Sequence, residues 1–269
     1  VSAAPVRPRL VASDLDGTLL GADGQVSART AEVLAGLDRL GVPFVMVTGR
    51  PLRWIDDLLT YVGPHGLAIV SNGALVWDVG AGEAHLTRAM TPEVGLEITR
   101  DLRAALPGTS YAVESTGGIG LEQEFMERHA KPPGSRRAPV EELLDQPVLK
   151  ILARHETLDP QEFWDRGLEV VGERATVTIS TTRSALLEIS AADVTKASTL
   201  ALVAETLGVS AAEVVAFGDM PNDLPMLTWA GTSYAMAGGH PSVLEIADHV
   251  APDHDADGVA EVLAELYGL

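Results

Sequence analysis

The strongest constraint on how this chain folds is its alternation of short apolar runs with amphipathic segments. "RLVASDL" reads as a buried strand. In "SARTAEVLAGLDRLG", Ser27 is placed to cap a helix, Val33, Leu34, Leu37 and Leu40 share one face, and Gly41 ends it. "VPFVMVTG" reads as a second strand, "PLRWIDDLLTYVG" as a second helix and "GLAIVSNG" as a third strand. The rhythm returns near the end: "TKASTLALVAETLG" (helix), "EVVAFGD" (strand), "NDLPMLTWA" (short helix), "TSYAM" (strand) and "DGVAEVLAELYG" (helix). Strands apolar on both faces and separated by helices predict a parallel sheet covered on both sides.

Between about Glu83 and Ile189 the pattern changes. "SYAVEST", "ATVTIS" and "SALLEIS" alternate in polarity and suit a sheet with one face open to water, while "EVGLEITRDLRAAL" and "PQEFWDRGL" read as helices. "GGIG" between two strand-like runs predicts a hairpin turn, and "KPPGSRRAP" a solvated loop. The predicted fold class is therefore α/β: a Rossmann-like parallel core made of residues 1–82 and 190–269, interrupted by an α+β domain over residues 83–189.

Charge narrows the partners. The 269 residues carry a formal net charge of −19, which repels nucleic-acid backbones and anionic membrane surfaces. An anionic ligand must then be held by local positive groups or by a metal ion. With no cysteine in the chain, disulfides and thiolate chemistry are excluded. No run reaches the roughly 18 apolar residues of a membrane span, and "VSAAPVRPRL" lacks a signal-peptide core. The expectation is a cytoplasmic protein without nucleic-acid or membrane partners; its oligomeric state cannot be read from sequence.

In open α/β sheets, ligands sit outside the carboxyl ends of the strands. Here the first strand ends in Asp14 and Asp16, the second in Thr48, Gly49 and Arg50, and the third in Ser71 and Asn72. The late strand ends in Asp219, with Asn222 and Asp223 just beyond, and Lys196 opens the helix before it. Carboxylates gathered along one edge repel one another unless a hard cation sits among them, and Mg²⁺ prefers oxygen ligands. Such an ion also neutralises phosphate oxygens, while Lys196, the Thr48 hydroxyl and backbone N–H groups suit the remaining ones. The set points to phosphate binding.

"DLDGTLL", "VTGR", Lys196 and "GDMPND", in that order, resemble the four motifs of the haloacid dehalogenase superfamily, and within it the Cof-like sugar-phosphate phosphatase branch. The resemblance implies that Asp14 is a nucleophile forming an aspartyl phosphate and that Asp16 is the general acid and base. It implies a Mg²⁺ site from Asp14, the Asp16 carbonyl, Asp219 and Asp223. Thr48, Gly49, Lys196 and Asn222 would bind the phosphoryl group, and Arg50 and Asn72 would contact substrate. Asp16 also separates the branches: a departing alkoxide needs a proton and a departing halide does not.

Only about thirty residues lie between Asp16 and Thr48, whereas the interval from Asn72 to Lys196 exceeds what a crossover requires. The inserted domain therefore resembles a class IIB cap, which implies closure over the phosphate site and choice of the leaving group. Glu114, Lys150 and the Arg136–Arg137 loop are its candidate contacts. The implied activity is Mg²⁺-dependent hydrolysis of a small phosphorylated metabolite, a sugar phosphate. A phosphomutase would use the same intermediate, and a receiver-type phospho-acceptor shares the acidic pocket but is about half this length. "PDHDADG" resembles a metal cluster only superficially and reads as a loop ending in an Asp cap.

Overall fold

The computed structural model describes residues 7–63, 66–126, 135–179 and 184–269. They divide into two compact units. One runs up to Leu86 and resumes at Thr195; the other spans Thr87–Val194. The sequence reading drew these boundaries at 82/83 and 189/190.

The core unit opens with β1 (Leu10–Ser13), fully buried, and α1 (Ala28–Arg39), whose Ser27 cap accepts the Thr30 amide at 3.0 Å. β2 (Phe44–Val47) lies parallel to β1. The predicted second helix is instead two short 3₁₀ turns, Leu52–Trp54 and Asp56–Tyr61. Ile55, at φ −121°, splits the run, yet Ile55, Leu58, Leu59 and Val62 remain buried. A segment this short has little helical stability of its own, so packing of its apolar face decides its winding.

β3 (Leu67–Val70) runs parallel to β2, then reverses through Ser71–Ala74 into β4 (Leu75–Asp78), with Val70 opposite Leu75. β5 (Glu83–Thr87) extends this edge of the sheet. Sequence reading did not anticipate this hairpin, although Asn72-Gly73 is a strong signal for one.

The inserted unit contains α2 (Pro92–Ala105), β6 (Ser110–Ser115), β7 (Gly118–Leu121), β8 (Arg136–Arg137), the one-turn α3 (Val140–Leu143), β9 (Lys150–Arg154), α4 (Pro160–Val171), β10 (Ala175–Thr178) and β11 (Leu186–Ala191). Its sheet has the order β10-β11-β9-β6-β7-β8. The hairpin at Gly117-Gly118 joins β6 to β7 as the sequence implies. Ile98 and Leu102 of α2 and Phe163 of α4 pack with Tyr111, Val113, Ile151, Leu187 and Ile189 of the sheet. Much of the predicted Pro-rich loop lies outside the described residues.

The chain re-enters the core through α5 (Lys196–Thr206), β12 (Val214–Gly218), α6 (Leu224–Trp229), β13 (Thr232–Met236), α7 (Pro241–Ile246), β14 (His249–Ala251) and α8 (Gly258–Tyr267). The core sheet has the order β14-β13-β12-β1-β2-β3-β4-β5, parallel from β14 to β3. β1 and β12 are thus central neighbours, with Ser13 opposite Phe217, and their carboxyl ends open side by side. Among the described residues, no helix is long and apolar enough to cross a membrane.

Candidate active site

Asp14 follows directly on β1, and its amide bonds to Phe217 O at 3.0 Å. Its side chain is buried and meets the Lys196 ammonium, with Nζ donating to Asp14 Oδ1 at 2.6 Å and to Asp223 Oδ1 at 2.7 Å. Lys196 itself is 1% exposed, so it is a committed internal cation rather than a solvated helix residue. Its helix is held by a capping box between Thr195 and Ser198.

Asp223 serves three partners. Oδ1 accepts Lys196, and Oδ2 accepts the amides of Asp219 and Met220 at 3.1 and 3.0 Å. It therefore fixes the turn that carries Asp219. Asp219 is also held by a residue that sequence reading passed over: Thr18 Oγ1 donates to Asp219 Oδ1 at 3.1 Å. Gly17 is a second such residue, because a Cβ there would collide with the Asp219 carboxylate and its φ of +75° disfavours a side chain. The signal for both was their place in "DLDGT", directly after the paired aspartates.

Carboxylate oxygens of Asp14, Asp219 and Asp223 lie within 4.8 Å of one another. That crowding, with burial, shifts the protonation of Asp14 and Asp219. Burial raises the Asp14 pKa well above its ordinary value; Lys196 opposes the shift, and Asp223 and Asp219 reinforce it. Burial and the neighbouring Asp223 push Asp219 up to about 6. For Lys196, burial alone favours the neutral amine, but Asp14 and Asp223 outweigh it and raise its pKa. Carboxylate oxygens so close together form a hard-oxygen donor set that fits a divalent cation.

Asp16 is placed differently. Its carboxylate is 60% exposed and is held by Arg50 through Nε to Oδ2 at 2.7 Å and Nη2 to Oδ1 at 2.5 Å. Arg50, expected to contact substrate, is thus engaged with the expected acid. Thr48 is buried and its hydroxyl accepts the Arg50 amide at 3.0 Å. Asn72 sits over Gly49, where a Cβ would come within 3.0 Å of Asn72 Oδ1. Asn222 lies in the turn Pro221–Asp223, its Oδ1 buried without a hydrogen-bond partner.

In the inserted unit, Glu114 and Lys150 are opposite one another on β6 and β9, both buried, and Lys150 Nζ donates to Glu188 Oε2 at 2.7 Å. The expected solvated arginines are instead tied down. Arg137 donates to the carbonyls of Glu122, Gln123 and Phe125, and Arg136 donates to Asp145 at 3.0 Å. In the "PDHDADG" loop, Asp257 precedes α8 and accepts hydrogen bonds from Ser27 and Thr30.

A doubly wound parallel core that collects carboxylates and one buried ammonium at its strand ends, interrupted by an α+β unit, defines a Rossmann-like fold of the hydrolase kind with an insertion. The comparisons make this specific. The profile of the haloacid dehalogenase-like hydrolases matches residues 11–263, and the chain belongs to that family, in its Cof-like branch, as a hydrolase of the phosphatase type. It is 29% identical to a phosphoglycolate phosphatase of Methanopyrus kandleri, covering 96% of each chain. It is 26% identical to the 5-amino-6-(5-phospho-D-ribitylamino)uracil phosphatase YcsE of Bacillus subtilis, covering 95% of this chain and 94% of the other. The solved structure of the subclass IIB sugar phosphatase BT4131 superposes with a TM-score of 0.79 at 20% identity, covering 97% of this chain and 99% of that one. At that identity the likeness speaks for the fold.

Proposed function

We propose that this protein is a Mg²⁺-dependent phosphatase that hydrolyses a small phosphorylated metabolite, a sugar phosphate, through an aspartyl phosphate on Asp14. The observation that carries the reading is the buried Asp14–Lys196–Asp223 chain beside Asp219. It supports the reading by bringing a buried carboxylate, a fixed cation and an oxygen-rich cluster together at the strand ends.

Asp14, Asp219 and the Asp16 carbonyl would hold Mg²⁺, with Asp223 as a further ligand or as the anchor of that turn. The bound ion would supply charge neutralisation at the phosphoryl oxygens. Lys196 fixes the rotation of the Asp14 carboxylate by holding Oδ1, which leaves its other oxygen to attack phosphorus. As that P–O bond forms, the bond to the leaving oxygen breaks, and Asp16 supplies the proton this alkoxide needs. Water then attacks phosphorus while Asp16 takes its proton. Cleavage of the aspartyl phosphate returns Asp14 and releases inorganic phosphate. Thr48, the Gly49 amide, Lys196 and Asn222 hold phosphoryl oxygens throughout, and Arg50 and Asn72 contact the substrate.

The leaving group is set apart from this chemistry. The two phosphatases above share nearly equal identity with this chain, yet their names specify a two-carbon acid and a ribityl-substituted pyrimidine. Similar cores therefore serve dissimilar leaving groups, which supports a specificity carried by the inserted unit. The test is release of inorganic phosphate from a panel of sugar phosphates, phosphoglycolate and nucleotides. Turnover with Mg²⁺, loss in EDTA and loss in Asp14→Asn are expected. Full activity in EDTA, or near-normal turnover by Asp14→Asn, would overturn the mechanism.

A further inference from the structure

Ser71, Asn72 and Gly73, the turn between β3 and β4, all have positive φ, at 51°, 57° and 107°, and all three are buried. Non-glycine residues rarely take this conformation, and two in succession store local strain. Ser71 adds a second cost, since its Oγ is buried without a hydrogen-bond partner. Positive φ suits a hairpin turn in itself, but burying an unpartnered hydroxyl does not follow from reversing the chain, and the contacts made by this backbone hold the turn in place.

Those contacts run in two directions. On one side the Ser71 amide donates to Arg50 O and the Asn72 amide to Thr48 O, both at 3.0 Å. On the other, Gly73 O accepts Thr199 Oγ1 at 2.8 Å from inside α5, and a Cβ on Gly73 would collide with Thr195 O. Thr199 is 0% exposed and lies one turn after Thr195 and Lys196. Three residues thus join the loop carrying Thr48, Gly49 and Arg50 to the first turn of the helix that delivers Lys196.

We propose that the Ser71–Gly73 turn is a brace that sets the position of Lys196 against the Thr48–Arg50 loop, with Thr199 and Gly73 as its positioning residues. Neither Thr199 nor Gly73 needs to touch the substrate. The brace acts because both groups assigned to the phosphoryl oxygens are referred to one rigid backbone segment, and this inference rests on the phosphatase reading above. Since misplacing a reacting group by about 1 Å costs on the order of a hundredfold in rate, even partial loosening is visible in turnover.

The experiment compares Thr199→Val, which keeps shape and removes the hydroxyl, with Thr199→Ser, which keeps the hydroxyl. Three quantities are read: kcat, KM, and the inhibition constant of inorganic phosphate. Thr199→Val is expected to lower kcat and weaken phosphate inhibition, each by about tenfold, from loosened placement of Lys196. Thr199→Ser is expected to stay within about twofold of wild type because its hydroxyl still reaches Gly73 O. Gly73→Ala, which presses on Thr195 O, should reproduce the kcat loss.

The brace is refuted if Thr199→Val matches wild type in both kcat and phosphate inhibition. It is equally refuted if Thr199→Ser is as impaired as Thr199→Val. Calorimetric titration of inorganic phosphate reads the same coupling without turnover. Phosphate release by the wild type in the same assay reports separately on the phosphatase reading.

Discussion

Asp219 allows the metal site to be tested through stability, independently of any substrate. The perturbation is Asp219→Asn, which keeps the shape and the acceptor for Thr18 but removes the charge. An unfolded aspartate ionises near 3.8 and the folded Asp219 near 6. Between those values only the unfolded chain sheds the proton. The support that Asp219 gives to folding is therefore complete below the lower value and is lost as pH rises through the higher one. Taken at face value the difference amounts to about 3 kcal/mol. Asp219 is only partly buried, and solvent screening reduces this to about 1–2 kcal/mol, or roughly 2–8 °C in Tm for a domain of this size.

In EDTA, the melts of wild type and Asp219→Asn should converge as pH falls below about 3.8, and the variant should be the more stable at pH 7.5. Asp14 is raised in the same direction, chiefly by burial and in part by the Asp219 charge, so removing that charge also eases Asp14 and adds to the advantage of the variant at pH 7.5. Adding Mg²⁺ at pH 7.5 should reverse the order, because the ion stabilises the folded form that binds it and the variant lacks one of its oxygens. At pH 4.5 the gain should shrink as protons compete for the same carboxylates. Thermal melts at several pH values, with and without Mg²⁺, measure all of this. If the two proteins titrate in parallel in EDTA, or if Mg²⁺ raises both melts equally, Asp219 is not a coupled, cation-binding carboxylate.

Two substitutions probe the remaining charges. Lys196→Met should reduce kcat by about 10²–10³-fold, as loss of one fixed donor to a developing charge does elsewhere. Because Asp14 and Asp223 are left buried without their cation, it should also lower stability by about 3 kcal/mol or more; turnover within tenfold of wild type would show that Lys196 is only structural. Arg50→Ala should change stability by less than about 1 kcal/mol, since its pair with Asp16 is exposed, yet lower kcat by freeing Asp16. Arg50→Lys should not restore it, because one ammonium cannot satisfy both carboxylate oxygens; a fully active lysine variant would remove the orienting role from this arginine.

Much of the site was legible because Asp14 and Asp219 stand at the ends of apolar runs, where a parallel sheet must deliver them, with Asp223 in the next turn and Lys196 opening the helix before β12. Asp14, Lys196, Asp219 and Asp223 meet for that reason. What escaped were supports that act across long stretches of chain. Thr18 reaches an aspartate 201 positions away, and no local periodicity announces such a bond. Arg137 sat in a Pro- and Gly-rich stretch that suggested solvent, yet three carbonyls of the neighbouring segment draw it inward. The segment from Leu52 to Tyr61 has the apolar spacing of a helix, but that spacing also fits the tighter winding it adopts. The β3–β4 hairpin was written in Asn72-Gly73, and reading those residues only as the polar end of a strand hid the turn.

The charge count explains how an acidic protein handles an anionic substrate. Asp14, Asp219 and Asp223 against Lys196 leave two negative charges in excess when all are ionised, while Asp16 and Arg50 cancel one another. As it stands the cluster therefore favours protons, and Asp14, which on the proposed mechanism must be a carboxylate to attack phosphorus, is buried among like charges. A divalent cation matches that excess and reverses the sign of the field at Asp14. On the proposed mechanism, the condition that would admit a phosphate ester into a chain of net charge −19 is thus the same one that would free the nucleophile. Placing a single lysine at this cluster would couple the two events on that mechanism: further fixed cations would ionise Asp14 without a metal and weaken the dependence on it.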